Sequence, residues 1–272
     1  MTDRYAVFGN PIGHSKSPFI HEAFAQQLGE DISYEAIEAP MDGFAEAVRA
    51  FVDAGGRGFN ITVPFKVAAA ELADEAHEAA DVCGAANCVK VENGRLVAEN
   101  FDGIGLVRDI VDNLGVPLKG QRVLFAGAGG ATRGAVMPFL EAGAGEIVIA
   151  NRTVSKAEKL RDLFGPRESI VACGYDEIEG GFDVILNSTS ASLTGAALPI
   201  PAHAFGGTRL AYDLAYGKGK TPFLEAAEVY GVDHIADGVG MLVEQAAEAF
   251  AWWRGKRPDT APVIETMTIP LK

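Results

Sequence analysis

Three side chains near residue 60 could bind a ligand and act on it. Asn60 and Thr62 lie on one face of a predicted buried strand over residues 58–63, and Lys66 follows at the start of a predicted helix. Open α/β sheets bind ligands at the carboxyl ends of their strands, so we predict that these three residues contact a ligand there. The alternative is that Lys66 is an ordinary solvent-exposed lysine.

A second polar group lies in the turn His14-Ser-Lys-Ser-Pro18. Ser17 is placed as the N-cap of an amphipathic helix, with Pro18 at its first position. Ser15 and Ser17 are two residues apart, so we expect their hydroxyls to meet in front of the helix, where the dipole favours an anion. A small carboxylate would fit there. The alternative is that Ser17 only caps the helix.

A glycine-rich turn, Gly127 to Gly134, follows the apolar run 123–126 and precedes a predicted helix. Gly127 and Gly129 permit a tight turn and let backbone amides approach the pyrophosphate of a dinucleotide. The G-x-G-x-x-G fingerprint has Thr132 at its third glycine position. A glycine turn without a ligand is therefore the alternative.

The segment after the next strand indicates which dinucleotide is bound. An NAD site normally has Asp or Glu about 20 residues beyond the glycine turn, whereas this chain has Asn151-Arg-Thr153 there. Arg152 can pair with a 2′-phosphate, assisted by Thr153 and by Lys156 one turn later. We therefore predict NADP. The alternative is that Thr153 caps the next helix and Arg152 is solvated.

Composition limits the class of protein. The chain has 272 residues, 48% of them hydrophobic, which is enough for two domains with full cores. Its net charge of −14 disfavours a nucleic-acid partner. No apolar run is long enough to span a membrane, and the N-terminal segment does not resemble a signal peptide. Cys83, Cys88 and Cys173 lack metal-binding or disulfide spacing, so we expect a cytoplasmic protein without a metal.

The elements that position these residues predict an α/β fold with two domains. Residues 1–101 and 239–272 are expected to form an α/β substrate domain. Residues 102–238 are expected to form a Rossmann-like, doubly wound parallel-sheet nucleotide domain. Within the first domain, the pattern predicts one helix over residues 67–80 and a hairpin turn at Asn93-Gly94.

Several segments together resemble the shikimate dehydrogenase family and follow its order along nearly the whole chain. They are Gly9-Asn-Pro-Ile-Gly-His-Ser-Lys-Ser-Pro18, Asn60-Ile-Thr-Val-Pro-Phe-Lys66, Gly84-Ala-Ala-Asn87, Asp102-Gly-x-Gly105, Gly127-Ala-Gly-Gly-Ala-x-Arg133, Asn151-Arg-Thr153, Asn187-x-Thr-Ser190 and Asp237-Gly-x-Gly-Met-Leu242. The family does not require glycine at the position of Thr132.

The resemblance implies reversible, NADP-dependent reduction of 3-dehydroshikimate to shikimate in aromatic amino acid biosynthesis. It makes Lys66 and Asp102 the catalytic pair, although Asp102 alone also reads as an N-cap. It implies that Ser15 and Ser17 bind the substrate carboxylate. The remaining substrate-side residues implied are Asn60, Thr62, Asn87, Tyr216 and Gln245. The cofactor-binding residues implied are Gly127, Ala128, Gly129, Gly130, Ala131, Asn151, Arg152, Thr153, Lys156, Thr189, Gly238 and Met241.

Two residues depart from the family pattern: Phe101 and Cys88 stand where threonine is common. Relatives acting on quinate or aminoshikimate differ around the substrate ring, so a quinate/shikimate or aminoshikimate dehydrogenase is the enzymatic alternative. An NADP-binding regulatory protein without turnover is the alternative from another class. We expect a small-molecule substrate, no nucleic-acid or membrane partner, and a monomer or homodimer.

Overall fold

The computed structural model describes residues 2–217 and 219–271 of the chain. The chain divides into two compact units. The first comprises Met1–Gly105 and Val243–Glu265, and the second comprises Leu106–Leu242 and Thr266–Lys272. The domain limits expected from sequence, whose end residues Met1 and Lys272 lie outside the described part, stay a prediction.

The first unit contains a mixed six-stranded sheet with strand order β2-β1-β3-β5-β6-β4. The strands are β1 (Asp3–Gly9), β2 (Ile32–Glu38), β3 (Gly56–Ile61), β4 (Glu75–Ala76), β5 (Cys88–Glu92) and β6 (Arg95–Glu99). The helices are α1 (Ser17–Leu28), α2 (Phe44–Asp53), α3 (Lys66–Leu72) and α4 (Glu78–Cys83), with α5 (Asp102–Arg108) following β6. β1 pairs in parallel with β2 and β3, whereas β5 is antiparallel to β3 and β6.

Aromatic side chains fill the core on one face of this sheet. Phe8 meets Phe44, Phe51 and Phe59 edge-on, with ring centroids 6.0, 5.8 and 5.2 Å apart. Such edge-to-face pairs add to the free energy gained from burying the rings. The packed core holds the ends of β1 and β3, from which the polar residues of this unit follow.

The helix predicted over residues 67–80 is wrong, because two helices and a short strand occupy that stretch. The Asp74 N–H donates to the Leu96 carbonyl and the His77 N–H to the Ala98 carbonyl, each over 2.9 Å. Bonds to β6 thus replace the helical bonds, and β4 forms beside it. The hairpin prediction is confirmed, with φ of 53° at Asn93 and 78° at Gly94.

The second unit contains a parallel sheet with strand order β12-β11-β10-β7-β8-β9. The strands are β7 (Arg122–Ala126), β8 (Glu146–Ala150), β9 (Ile170–Cys173), β10 (Val184–Asn187), β11 (Leu210–Asp213) and β12 (His234–Asp237). The helices are α6 (Gly130–Glu141), α7 (Val154–Asp162), α8 (Ala191–Thr194) and α9 (Pro222–Val229). The chain continues into α10 (Val239–Arg254) and α11 (Ala261–Met267), most of whose residues belong to the first unit. This is the doubly wound Rossmann order, so the predicted fold class is confirmed.

The strand order reverses between β7 and β10, and dinucleotides bind at this point in such sheets. The Gly127 turn follows β7 at that position, and α6 begins at Gly130, earlier than the sequence pattern predicts. None of the described helices is long and apolar enough to cross a membrane.

Candidate active site

Lys66 and Asp102 are brought together by the starts of two helices. Lys66 is the first residue of α3 and Asp102 the first of α5. The Lys66 Nζ donates to the Asp102 Oδ2 over 2.5 Å, and the two side chains are 31% and 17% exposed. The Asp102 N–H donates to the Asn100 Oδ1 over 3.1 Å. The Asp102 carboxylate is thereby directed at Lys66 while the ammonium stays accessible.

Asn87 extends this pair into a polar cluster. Its Nδ2 donates to the Asp102 Oδ1 at 2.8 Å and to the Gln245 Oε1 at 3.1 Å. Its backbone carbonyl accepts from the Asn60 Nδ2 at 3.2 Å, and its Oδ1 from the Phe101 N–H at 2.8 Å. The amides of Asn60, Asn87 and Gln245 are buried. Buried polar groups are costly unless bonded, so this cluster holds each amide in one orientation.

The first unit also contains Ser15, Ser17 and Thr62. Helix α1 begins at Ser17 and has no side-chain cap, so the prediction that Ser17 caps it is wrong. The Ser15 Oγ instead accepts the Ser17 N–H at 3.3 Å. Thr62 follows β3, where its N–H donates to the Phe8 carbonyl at 2.9 Å. The Ser17 hydroxyl is therefore not used to start the helix.

The two departures from the family pattern lie in packing positions. The Phe101 ring meets Trp252 edge-on at 5.7 Å, and Cys88 is fully buried beside Trp253 and Tyr5. Burial raises the pKa of the Cys88 thiol well above its usual value. The thiol is therefore a neutral core group.

The glycine turn of the second unit has room for an anion. Gly127 has φ of 117°, and a Cβ there would lie 2.8 Å from the Thr189 Cγ2 and 2.9 Å from the Ser188 Oγ. At Gly129 and Gly130 a Cβ would meet no atom within 4 Å, and α6 starts without a side-chain cap. Its first N–H groups are thus available, and the turn fits a dinucleotide pyrophosphate.

Thr132 replaces the third glycine of the fingerprint with a specific contact. It is fully buried, and its Oγ1 donates to the Gly127 carbonyl at 2.7 Å. It also lies 2.7 Å from the Ser188 Oγ. The Thr132 hydroxyl therefore holds the turn in place. In other dinucleotide-binding folds, a glycine at this position does so by allowing the helix to pack closely on the strand.

The groups predicted to bind a 2′-phosphate lie at the end of β8. Arg152, Thr153 and Lys156 are exposed, and the Asn151 side chain holds the turn by bonding the Ala128 N–H at 3.3 Å and the Thr153 carbonyl at 2.8 Å. Thr153 is at the N-cap of α7 but makes no side-chain cap. The side chains of this segment are therefore accessible to a phosphate.

A network around Tyr212 positions the start of α10, and sequence reasoning did not find it. The Tyr212 hydroxyl donates to the Asp109 Oδ2 at 2.7 Å and accepts the Met241 N–H at 3.2 Å. A Cβ at Gly240 would lie within 2.2 Å of the Asp109 carboxylate, and one at Gly238 would lie 2.3 Å from a backbone oxygen. Only glycine fits at either position. The available sequence signal was Asp109, an acidic residue beside the apolar Ile110 shortly after the Asp102 segment.

The remaining predicted residues, Thr189 and Tyr216, follow β10 and β11. The Thr189 Oγ1 donates to the buried Asn187 Oδ1 at 2.7 Å. Tyr216 is 39% exposed, and partial burial raises the pKa of its hydroxyl. Within the described part of the chain, no group of three or more His, Cys, Asp or Glu residues could hold a metal ion.

Comparisons with known proteins agree along nearly the whole chain. Residues 7–89 match the family model "Shikimate dehydrogenase substrate binding domain", residues 106–196 match "Shikimate / quinate 5-dehydrogenase", and residues 238–268 match "Shikimate 5'-dehydrogenase C-terminal domain". A curated relative from Alkalilimnicola ehrlichii, named shikimate dehydrogenase (NADP(+)), is 51% identical and covers 98% of this chain and 99% of its own.

Two solved structures extend the likeness to the fold. An Ael1 enzyme from Pseudomonas putida is 56% identical, with a TM-score of 0.97 and 100% of each chain covered. Shikimate 5-dehydrogenase from Thermus thermophilus, in complex with NADP(H) and shikimate, is 33% identical, with a TM-score of 0.84 and 98% of each chain covered. The chain therefore belongs to the shikimate dehydrogenase family.

Proposed function

We propose that this protein is an NADP-dependent shikimate dehydrogenase, which reversibly reduces 3-dehydroshikimate to shikimate for aromatic amino acid biosynthesis. The observation that carries the proposal is the Lys66–Asp102 pair, held in one hydrogen-bonded cluster with Asn87, Gln245 and Asn60. Relatives about half identical to this chain are named shikimate dehydrogenase (NADP(+)), which supports the same assignment.

Lys66 supplies the proton in the proposed reaction. NADPH, when bound, delivers hydride to the ketone carbon of the substrate, and negative charge develops on the ketone oxygen. The Lys66 ammonium stabilises that charge and donates its proton to form the alcohol. Asp102 orients the ammonium through the 2.5 Å bond. In the oxidation direction, neutral Lys66 accepts the hydroxyl proton as hydride leaves.

The substrate ring is positioned by the neighbouring polar groups in this proposal. Ser15 and Ser17 bind the carboxylate, because α1 begins there and the positive end of its dipole favours an anion. Asn60, Thr62, Asn87 and Gln245 bind ring hydroxyls. Tyr216 is a further substrate contact in the family, and we carry that role over to this chain.

The cofactor is held by backbone amides and a basic segment. The pyrophosphate lies against Gly127, Ala128, Gly129, Gly130 and Ala131 at the start of α6. The N–H groups of Gly127 and Ala128 are bonded to Ala150 and Asn151, so those of the residues that follow bind it. Asn151, Arg152, Thr153 and Lys156 take the 2′-phosphate, while Thr189, Gly238 and Met241 complete the site. Two charge-assisted bonds of ~1.5–3 kcal/mol each would favour NADP over NAD by about 10²–10⁴.

A kinetic matrix tests the proposal: shikimate and quinate, each with NADP and NAD. We expect the highest kcat/KM for shikimate with NADP. A preference for quinate with NAD would replace the proposal with a quinate/shikimate dehydrogenase. Binding of NADPH and 3-dehydroshikimate with no absorbance change at the nicotinamide band would instead indicate a regulatory protein.

We also propose that the protein acts in the cytoplasm, as a monomer or homodimer, without a nucleic-acid partner. Cys88 and Cys173 are free, buried thiols, as expected in a reducing compartment. Sedimentation velocity would distinguish the two assemblies, and a larger species would contradict this part of the proposal.

A further inference from the structure

Tyr34 lies on β2 and contacts Asn60, a residue assigned to the substrate in the proposed function. Its hydroxyl donates to the Asn60 Oδ1 over 2.7 Å. Burial and the nearby Cys88 thiol raise the pKa of that hydroxyl well above its usual value, against a smaller opposing effect of the Ser17 side chain. The Tyr34 hydroxyl is therefore a neutral donor to Asn60.

Two hydrogen bonds hold the Asn60 carboxamide in one orientation, one to the Asn87 carbonyl and one from the Tyr34 hydroxyl. The Asn60 Nδ2 donates to the Asn87 carbonyl, which can only accept, so the Asn60 Oδ1 must face Tyr34. Each amide atom has a further bonding direction, a second N–H on nitrogen and a second lone pair on oxygen. Without the Tyr34 hydroxyl, one of the two bonds that hold this buried amide would be lost.

The ring of Tyr34 is itself held by His21. The two rings stack with centroids 4.2 Å apart and an interplanar angle of 6°. His21 is fully buried, with Phe250 and Trp253 at 6.1 and 5.4 Å. Neither ring nitrogen of His21 bonds to a partner within the described part of the chain. Burial lowers the pKa of His21 to about 3, against a smaller opposing effect of Asn60. The imidazole is therefore uncharged at physiological pH and packs as a neutral aromatic ring.

We propose that Tyr34 is a positioning residue for the substrate site: its hydroxyl orients the Asn60 carboxamide toward a ring hydroxyl of the substrate, and His21 holds the Tyr34 ring in place. The inference rests on the proposed function, in which Asn60 binds substrate. It adds a residue that touches neither substrate nor cofactor and acts only through Asn60.

Tyr34→Phe tests the proposal, because it removes the hydroxyl and keeps the ring. We expect KM for shikimate to rise about three- to tenfold, the size of one hydrogen bond. We expect kcat and KM for NADP to change less than about twofold, since an interaction lost equally from ground state and transition state appears in KM alone. Tyr5→Phe is the matched control. Tyr5 is a buried tyrosine of the same unit that stacks on Trp253, and its hydroxyl contacts Arg254.

A double-mutant cycle with Asn60→Ala separates positioning from a general structural effect. If Tyr34 acts through Asn60, then Tyr34→Phe should change KM for shikimate less than about twofold once Asn60 is alanine. Equal fold-changes in both backgrounds would overturn the proposal. So would an unchanged KM in Tyr34→Phe, or a parallel loss of kcat, NADP affinity and melting temperature.

The wild-type protein keeps the two proposals distinguishable. If it oxidises shikimate and the cycle is additive, only the role of Tyr34 fails. If it does not turn shikimate over, the dissociation constant of shikimate is measured by calorimetry in the same variants. The fold-changes expected for KM then apply to that dissociation constant. If it neither turns over nor binds shikimate, the proposed function and this inference both fail.

Discussion

The polar cluster around Lys66 and the glycine turn at Gly127 are built in opposite ways. In the cluster, side chains bond to one another, so each is held in place before any ligand arrives. In the turn, positions without side chains leave space and free N–H groups in front of α6. Removing a side chain should therefore damage the cluster, whereas adding one should damage the turn. Chemistry needs oriented groups, while binding a pyrophosphate needs open backbone.

The largest effect is expected from Lys66→Ala. The variant loses the proposed proton donor, so kcat should fall by about 10²–10⁴ with KM for shikimate little changed. Steady-state kinetics in both directions measure this. Lys90→Ala is the control, because Lys90 pairs with Glu92 and lies over Trp252. Near-normal kcat in Lys66→Ala would remove the lysine from the proposed mechanism.

The cofactor side is tested next by Arg152→Ala. Losing a charge-assisted bond of ~1.5–3 kcal/mol should raise KM for NADP about 10- to 150-fold and leave KM for NAD nearly unchanged. Arg161→Ala, on the helix that follows, removes an exposed arginine that pairs with Asp162, and it should leave both values unchanged. Equal losses for NADP and NAD would show that Arg152 does not contact the 2′-phosphate.

Two glycine variants of the second unit should affect different quantities, one the stability of the protein and the other its binding of NADP. Gly240→Ala forces a methyl group into the Asp109 carboxylate, which should lower the free energy of unfolding by about 1–3 kcal/mol. Gly129→Ala meets no protein atom and has φ of −94°, so its stability should be unchanged while KM for NADP rises. Denaturant unfolding and NADP kinetics measure the two effects. A Gly129→Ala variant with lowered stability would contradict the interpretation that the space at this position is left for the cofactor.

A pH dependence of stability is expected from His21. Its pKa is about 3 in the folded protein, whereas an exposed histidine has a pKa near 6.5. Between these values the unfolded chain binds a proton that the folded protein does not. The free energy of unfolding should therefore fall by up to about 1.4 kcal/mol for each pH unit below 6.5.

His21→Phe keeps a ring against Tyr34 but removes the titrating group. Between pH 6.5 and 5, the free energy of unfolding of His21→Phe should fall by about 2 kcal/mol less than that of the wild type. Urea unfolding at several pH values provides the comparison. Parallel stability curves for the two proteins would mean that His21 is not the group responsible.

The smallest effect is expected from Phe101→Thr, which restores the residue common in the family. The Phe101 ring packs on Trp252, and its N–H bond to Asn87 does not depend on the side chain. Stability should fall by about 1 kcal/mol. The ratio of kcat/KM for shikimate and quinate should change less than about threefold. A larger change would place Phe101 among the residues that select the substrate.

Much of the architecture was predictable because its signals are local. Apolar runs bounded by glycine predicted strands such as β7 and β8, and Asn93-Gly94 predicted its hairpin. The doubly wound sheet followed from the alternation of strands and helices. The break between α3 and α4 was missed, because the backbone of residues 74–77 bonds to a strand about 20 residues later.

The sequence by itself determined which residue types stand at strand ends and helix starts: a lysine after β3, serines before α1 and a basic segment after β8. Each is encoded by neighbouring residues, through periodicity and turn chemistry. The tertiary structure alone decided that Asn87 joins Asp102 to Gln245, that Tyr34 orients Asn60, and that Asp109 requires glycine at position 240. These contacts join residues 15 to 158 positions apart, and no local pattern records them.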